Sequence, residues 1–470
     1  MTRAFTFDAS ACSGCKACQA ACQDRSNLPL GVLWRRVYEV GGGDWTRNGD
    51  TWTSTVYAYN LSMACNHCVH PKCAGVCPVD AYTVREDGIV LLDSSKCIGC
   101  GYCAWACPYA APQFDRSAGK MSKCDLCYDN LDAGLPPACV AACPLRVLEL
   151  EDQPALEAAG VPHPVVFPMP VNSRTEPRLY IRSHPAAGKA VGSPEVLNRE
   201  EIAPAHRRSP AQEELPLLAF TLLGQMAAGL TWFLAGLAFA GGELSTLPWF
   251  VAGASIGSGL LISFLHLGSP GNAWRVFGNL RKSWLSREIL AALLFAASWA
   301  LTTLVSWVNH ISSGNDLILL SITGIAGAAM VTSMAEVYRL RMVPGWNSWR
   351  TKTGFLLSAF VLGSAGVVAG QVLTELVSPD GQPLLRMVCA LLAAAIGLEL
   401  VLTFITQPSL HTTGGRIRLV FLIISILTVA ALAVGLLPLR GWVILPLFAL
   451  IVAEEKFGRL AFYSLRRPEM

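Results

Sequence analysis

Sixteen of the seventeen cysteines fall within the first 143 residues, as four groups of four: Cys12, Cys15, Cys18, Cys22; Cys65, Cys68, Cys73, Cys77; Cys97, Cys100, Cys103, Cys107; and Cys124, Cys127, Cys139, Cys143. The first and third groups run C-x2-C-x2-C-x3-C, the pattern in which three thiolates hold one cubane and the fourth reaches another. Three groups end in Cys-Pro, at Cys77-Pro78, Cys107-Pro108 and Cys143-Pro144. Sixteen thiolates suffice for four 4Fe-4S clusters. A disulfide framework is the weaker reading, because it belongs to small secreted chains. The start, MTRAFTFDASAC, also lacks the basic segment and apolar run of a cleavable signal. Zinc ribbons separate their C-x2-C pairs more widely, whereas in three groups here the third cysteine follows the second by three or five residues.

In two-cluster ferredoxins the last cysteine of each run serves the other cluster. Applied to the two inner groups, that swap predicts one set of Cys65, Cys68, Cys73 with Cys107, and another of Cys97, Cys100, Cys103 with Cys77. Between the first and second groups, LWRRVYEV and TWTSTVYAYN flank the turn-rich GGGDWTRNGD and read as a hairpin, and GIVLLD before the third group reads as a short strand. These features suit a small α+β fold organised by its clusters more than by an apolar core.

A chain of 470 residues with 53% hydrophobic and 15% charged residues is too apolar to be soluble throughout. Residues 1–150 form the cysteine-rich domain, 151–214 a proline-rich connector, and 215–470 a membrane domain. The connector reads as a loose linker, with a strap packed on the cluster domain as the close alternative because TEPRLYIR within it has strand character. Eight apolar segments follow, at 215–240, 245–267, 286–309, 317–337, 354–377, 383–406, 417–437 and 441–463. Each is long enough to cross a hydrocarbon core of about 30 Å as a helix. The expected fold is therefore an α+β four-cluster ferredoxin-like domain followed by an all-α bundle of eight transmembrane helices.

Lysines and arginines gather on one side: Arg199, Arg207, Arg208; Arg275, Arg281, Lys282, Arg287; Arg339, Arg341, Arg350, Lys352; Arg416, Arg418; and Lys456, Arg459, Arg466, Arg467. The opposite loops offer Arg386 and Arg440. The positive-inside rule then puts the cluster domain and the C-terminus in the cytoplasm, on a multi-pass protein of the inner (cytoplasmic) membrane. No basic stretch with interleaved aromatics stands out, so nucleic acid is set aside.

A cluster domain joined to a membrane bundle needs a redox partner in lipid. Haem b takes axial histidines from within the bundle, and His266, His310 and His411 lie at or beyond the ends of the spans. No haem b is expected, and quinone is the better reading. The segment LHLGSPGNAWRVFGNLRKSWLSREIL joins the second and third spans on the cluster-domain side, carrying His266, Gly268, Arg275 and Glu288. A quinol gives up protons with its electrons, and His266 and Glu288 are titratable groups at the membrane edge that can accept them. Arg275 can hold a carbonyl oxygen or anchor among headgroups. Glu336, Glu399, Glu454 and Glu455 are acids expected within the spans, where such groups are costly and functional by default. For Glu399 a proton path competes with a hydrogen bond to a neighbouring helix. Cys389 reads as a small core residue.

The groups CSGCKACQAAC, CNHCVHPKCAGVC, CIGCGYCAWAC and KCDLC followed by ACVAAC resemble the electron-transfer subunit of dimethyl sulfoxide reductase and its relatives. HLGSP, AWR and SWLSRE resemble the eight-helix anchor subunit of the same system, so the two resemblances together cover nearly the whole chain. The resemblance implies an outer pairing of Cys12, Cys15, Cys18 with Cys143 and of Cys124, Cys127, Cys139 with Cys22. It also implies a menaquinol or other quinone site that includes the histidine of HLG and the glutamate of SRE, here His266 and Glu288. Two features depart from the family: its members are usually two polypeptides, and its nitrate-reductase relatives carry a tryptophan at one ligand position where this chain has cysteine throughout.

No remaining soluble segment is long enough to hold a molybdopterin, so the resemblance implies a separate molybdopterin catalytic subunit. The expected role is a redox subunit carrying electrons from menaquinol toward an S- or N-oxide such as dimethyl sulfoxide. Sulfite oxidation running electrons toward quinone, an ion-translocating redox protein, and a redox sensor are the alternatives.

Overall fold

The computed structural model describes residues 2–161, 166–170, 174–188, 194–198, 215–242, 245–309, 314–374, 382–406 and 413–465. His310, His411, Arg199, Arg207, Arg208, Arg466 and Arg467 lie outside the described residues. The chain divides into two compact units. One is Met1–Arg207 with Leu267–Ser283 and Pro468–Met470, and the other is Arg208–His266 with Trp284–Arg467.

In chain order the first unit holds β1 (Arg3–Asp8), α1 (Ala17–Arg25), β2 (Arg36–Gly42), β3 (Trp45–Asn48), β4 (Thr51–Ser54), β5 (Tyr57–Met63), α2 (Lys72–Val76), β6 (Tyr82–Val84), β7 (Val90–Leu92), α3 (Tyr102–Ala106), β8 (Gln113–Asp115), β9 (Lys120–Ser122), α4 (Tyr128–Asp132), α5 (Ala138–Ala141), β10 (Leu148–Asp152), α6 (Gln153–Ala158), β11 (Leu179–Arg182) and β12 (Glu195–Val196). Phe5 and Phe7 of β1 are buried, and β1 is the centre of a sheet ordered β10-β1-β11. β10 pairs antiparallel with it, Phe5 opposite Leu150, and β11 pairs parallel, Phe5 opposite Leu179. This sheet does the long-range work of the unit. β1 leads into the first cysteine group and β10 leads out of the fourth, so their pairing brings the two ends of the motif series together. The β6–β7 hairpin does the same for the second and third groups, which it separates in sequence.

The expected hairpin forms as β2 with β5 and, further out, β3 with β4. Its turn is tighter than the sequence suggested: Asn48 pairs with Thr51, leaving Gly49 and Asp50 at the tip. The connector differs more. Its described part is a strap on the first unit, because Leu179, Ile181 and Val196 are apolar residues spaced to fill that core and are buried in it. Among the described residues, then, 174–198 contributes strands and is not a loose linker.

Among the described residues the second unit holds eight long helices: α7 (Leu215–Phe239), α8 (Thr246–Phe264), α9 (Trp284–Asn309), α10 (Gly314–Tyr338), α11 (Trp349–Leu373), α12 (Gln382–Thr406), α13 (Thr413–Ala433) and α14 (Gly441–Ser464). Their bounds lie within a few residues of the apolar segments read from sequence. Seven of them, α7 to α13, are long and apolar enough to cross a membrane among the described residues. The eighth, α14, carries Glu454, Glu455, Lys456 and Arg459, which take it out of that class. It is nonetheless held into the unit. The Tyr463 and Tyr338 hydroxyls lie 2.9 Å apart, and the Trp346 ring nitrogen donates to the Phe462 carbonyl at 2.7 Å.

Candidate metal centres and the loop packed on them

Each cysteine group begins with a C-x2-C turn, and the second intervening residue is in the left-handed region every time: Gly14 at φ 72°, His67 at 42°, Gly99 at 71° and Leu126 at 62°. That turn points two sulfurs the same way. Glycine adopts it without a steric penalty, whereas His67 and Leu126 must be held there by their surroundings. His67 is pinned at both ends: its Nδ1 accepts from the Val90 N–H at 3.1 Å, and its carbonyl accepts from Arg178 at 2.5 Å.

The turns bring the cysteines into sets. Cys12 has Cys15, Cys18 and Cys143 close enough for their charges to act on it, and Cys22 has Cys127 and Cys139. Cys68 and Cys73 both face Cys65 and Cys107, and Cys100 faces Cys77 and Cys97. Cys65, Cys68, Cys73 and Cys107 line one common pocket. Two further proximities link successive sets, Cys73 with Cys103 and Cys65 with Cys124.

The donor set fits iron-sulfur clusters on this structure's own chemistry. Burial pushes the Cys22, Cys68 and Cys100 thiols up to about 12, so bare thiolates are disfavoured there, and a coordinated metal holds such sulfurs deprotonated. Backbone N–H groups converge on the sulfurs: Ala81 on Cys77, Gly99 and Met121 on Cys97, and Leu126 on Cys124, each at 3.4 Å. Among the described residues, buried donors also lack partners, namely Arg35 Nε and Nη2, Asn66 Nδ2 and His67 Nε2. Burial, with Lys123, Arg178 and Arg35 nearby, holds His67 well below its ordinary pKa, so the imidazole is neutral. Its Nδ1 accepts a hydrogen bond, which leaves the proton on the orphaned Nε2. Lys123 is buried too, donating to the Val90 carbonyl and, at 2.7 Å, to the Cys124 carbonyl. Buried donors without acceptors are rare, and cluster sulfides supply acceptors of the right kind.

Leu267–Ser283 belongs to this unit and not, as the division at residue 215 implied, to the helical one. The reason is a row of hydrogen bonds to backbone carbonyls of the cysteine loops. Asn272 Nδ2 donates to Ser95 and Cys97 at 3.0 and 3.1 Å, Asn279 Nδ2 to Cys77 at 2.7 Å, and Ser283 Oγ to Val76 at 2.9 Å. The Ser269 N–H donates to Ile98 at 3.0 Å. Gly268 lets the chains approach, since a Cβ there would stand 2.1 Å from the Gly119 carbonyl oxygen. The loop thus grips the carbonyls of Cys77 and Cys97, members of one set.

The quinone candidates are distributed over both units. Gly268 is spent on that backbone contact. Arg275, in the first unit, lies 5.1 Å from the Trp274 ring centroid, and its buried Nε has no partner among the described residues. In the helical unit, His266 follows α8 and is half-buried, while Glu288 is buried in the first turns of α9. In that unit Arg418 donates to Glu399 at 2.5 Å and to Glu454 at 2.6 Å, and one oxygen each of Glu399, Glu454 and Glu455 lie within 4.8 Å of one another. The hydrogen bond between helices weighed for Glu399 is what the structure contains. Arg459 donates to Gln225 at 2.8 Å, so Arg418 and Arg459 are buried bundle residues rather than the loop cations counted in assigning sides. Glu336 is ion-paired with Arg339 and Lys352. Cys389 is buried.

Sequence reasoning passed over Arg35, His67 and Lys123, and over Asn272 and Asn279. The asparagines stood in the very segment singled out, but only its titratable and glycine residues were weighed.

Comparison with known proteins gives two family matches: the 4Fe-4S dicluster domain over residues 56–153, and the DMSO reductase anchor subunit (DmsC) over residues 210–465. The sequence is 45% identical over 178 residues to an anaerobic dimethyl sulfoxide reductase chain of Escherichia coli K12, covering 38% of this protein and 87% of that one. It is 37% identical over 174 residues to a formate dehydrogenase iron-sulfur subunit of Wolinella succinogenes, covering 32% and 82%. It is 39% identical over 142 residues to a tetrathionate reductase subunit of Salmonella typhimurium, covering 30% and 54%.

Proposed function

The chain belongs to the dimethyl sulfoxide reductase family, as an iron-sulfur subunit fused to a membrane anchor subunit, and on that premise we propose that it carries electrons from menaquinol to a separate molybdopterin catalytic subunit that reduces an S- or N-oxide such as dimethyl sulfoxide. Bound clusters supply one-electron carriers in series. The four sets of the reading are Cys77, Cys97, Cys100, Cys103; Cys65, Cys68, Cys73, Cys107; Cys22, Cys124, Cys127, Cys139; and Cys12, Cys15, Cys18, Cys143. The proximities of Cys73 to Cys103 and of Cys65 to Cys124 support that order of transfer.

The observation that carries the proposal is the loop of residues 267–283. It leaves the helical unit at His266, re-enters it just before Glu288, and between them holds the carbonyls of Cys97 and Cys77 through Asn272 and Asn279. On this reading electrons enter at the set containing those cysteines. His266 and Glu288 take the protons that quinol releases, each being a base placed in sequence beside the loop, and Arg275 orients the quinone. All eight long helices cross the membrane, α14 included, its Glu454 being ion-paired within the unit with Arg418. The exposed cations that survive the burial of Arg418 and Arg459 still favour a cytoplasmic cluster unit.

The test is rapid mixing of the purified full chain with a menaquinol analogue, following cluster absorbance. His266→Ala and Glu288→Gln should slow reduction at least tenfold with iron content unchanged and dithionite reduction intact. An unchanged quinol rate in both variants refutes the assignment.

A further inference from the structure

Arg35 is a buried cation with nothing of opposite charge to pair with among the described protein groups. It is 2% exposed, just ahead of β2, and its Nε and Nη2 have no hydrogen-bond partner. Nη1 donates to Ser62 Oγ at 3.0 Å, and Cζ lies 4.6 Å from the centre of the Phe5 ring. A guanidinium does not shed its proton to escape such a place, and an unpaired buried charge costs several kcal/mol, so an anion must compensate it. The groups its charge acts on are Cys139, Cys18, Cys124 and Cys22.

Three of those four belong to one set, Cys22, Cys124, Cys127 and Cys139. The fourth, Cys18, is reached by relay. Ser62 Oγ accepts from Arg35, and so its own hydrogen is free for Cys18 Sγ at 3.4 Å. Arg35 therefore stands between the two sets at the far end of the series from the 267–283 loop.

We propose that Arg35 is a positioning residue for electron transfer that sets the reduction potentials of the two outer clusters, directly for the one on Cys22, Cys124, Cys127 and Cys139, and through Ser62 for the one on Cys12, Cys15, Cys18 and Cys143. The inference deepens the electron-transfer reading and rests on it. A cluster gains one unit of negative charge when it accepts an electron from the quinol-fed series, and fixed positive charge and hydrogen bonds to its sulfurs favour that state. Arg35 supplies the charge and, through Ser62, a hydrogen bond to Cys18 Sγ, at the end where electrons leave for the catalytic subunit. The effect is to make the outward path downhill.

The experiment is a redox titration of the purified full chain followed by electron paramagnetic resonance, with iron content measured alongside. Arg35→Gln should lower the equilibrium constant for reducing one cluster at least tenfold, a shift of about 59 mV to more negative potential for one electron. Arg35→Lys, which keeps the charge and loses the fork, should fall between it and the parent. Ser62→Ala should move a second signal the same way by less. Four midpoints unchanged in Arg35→Gln at full iron content overturn the proposal. Where Arg35→Gln does not accumulate, unchanged midpoints in both Arg35→Lys and Ser62→Ala overturn it, and a negative shift in either supports it. A parent chain without cubane signals overturns the cluster reading beneath it as well, which an unchanged potential in a fully loaded chain does not.

Discussion

Truncating Asn279 should loosen the 267–283 loop by an amount the structure allows to be worked out. Asn279 is 6% exposed and its side-chain amide donates to the Cys77 carbonyl at 2.7 Å, so Asn279→Ala leaves that carbonyl without its donor in a place where water replaces it poorly. Such a loss costs about 1–3 kcal/mol, or roughly 5- to 150-fold in the equilibrium between docked and open loop. Asn272 is half-buried and has two acceptors, so Asn272→Ala should cost less, on the order of 0.5–1.5 kcal/mol. Ser269 and Ser283 keep the loop docked in either single variant, so quinol-driven reduction should slow mainly in the double variant. Amide hydrogen exchange reads the equilibrium directly, because protection of residues 267–283 falls by the same factor as docking weakens. Protection unchanged in Asn279→Ala, with the β1 amides as internal reference, would refute the claim that this side chain holds the loop on the cysteine loops.

The remaining expectations concern the clusters and the bundle. Iron analysis of the full chain should return about sixteen irons for four cubanes, and a value near eight would sink the four-set reading. Cys107→Ser should disturb the cluster held by Cys65, Cys68 and Cys73 and spare the one held by Cys97, Cys100 and Cys103; resonance spectra showing the reverse would break the swapped pairing. Arg418→Met removes the cation shared by buried Glu399 and Glu454, and thermal melting in detergent should show a loss of about 3–5 kcal/mol, with an unchanged melting temperature counting against the pair as a structural element. Trp346, 0% exposed and stacked 5.3 Å from Phe462, should cost about 3–5 kcal/mol as Trp346→Ala, detected first as increased proteolysis of the C-terminal helix; equal resistance to protease would deny that this contact anchors α14.

What the sequence disclosed and what it withheld divide along a physical line. Cysteine spacing is a local property, set by how far apart two sulfurs stand on one turn, and apolar length is a local property set by membrane thickness, so the four cysteine groups and the long helices were both readable. Pairing across distance was not. The β1–β10–β11 sheet depends on Phe5 finding Leu150 and Leu179, and nothing within TEPRLYIR announces that its strand closes on the first residues of the chain. The same blindness explains why the loop was counted with the membrane half: LHLGSPGNAWRVFGN reads as a connection between spans because its neighbours in sequence are spans, yet its asparagines bond carbonyls 175 and 202 positions earlier. Arg418 and Arg459 were counted as loop cations for the same reason, since a charge near a helix end looks exposed until a Glu399 or a Gln225 arrives from another helix. Arg35 is the sharpest case. Its neighbour Arg36 has carbonyl acceptors on Tyr109 and Ala110, and two adjacent arginines at the start of a strand look like one solvated pair. Only folding separates them, sending Arg36 to backbone oxygens and leaving Arg35 with a charge that the cysteine sets are placed to balance.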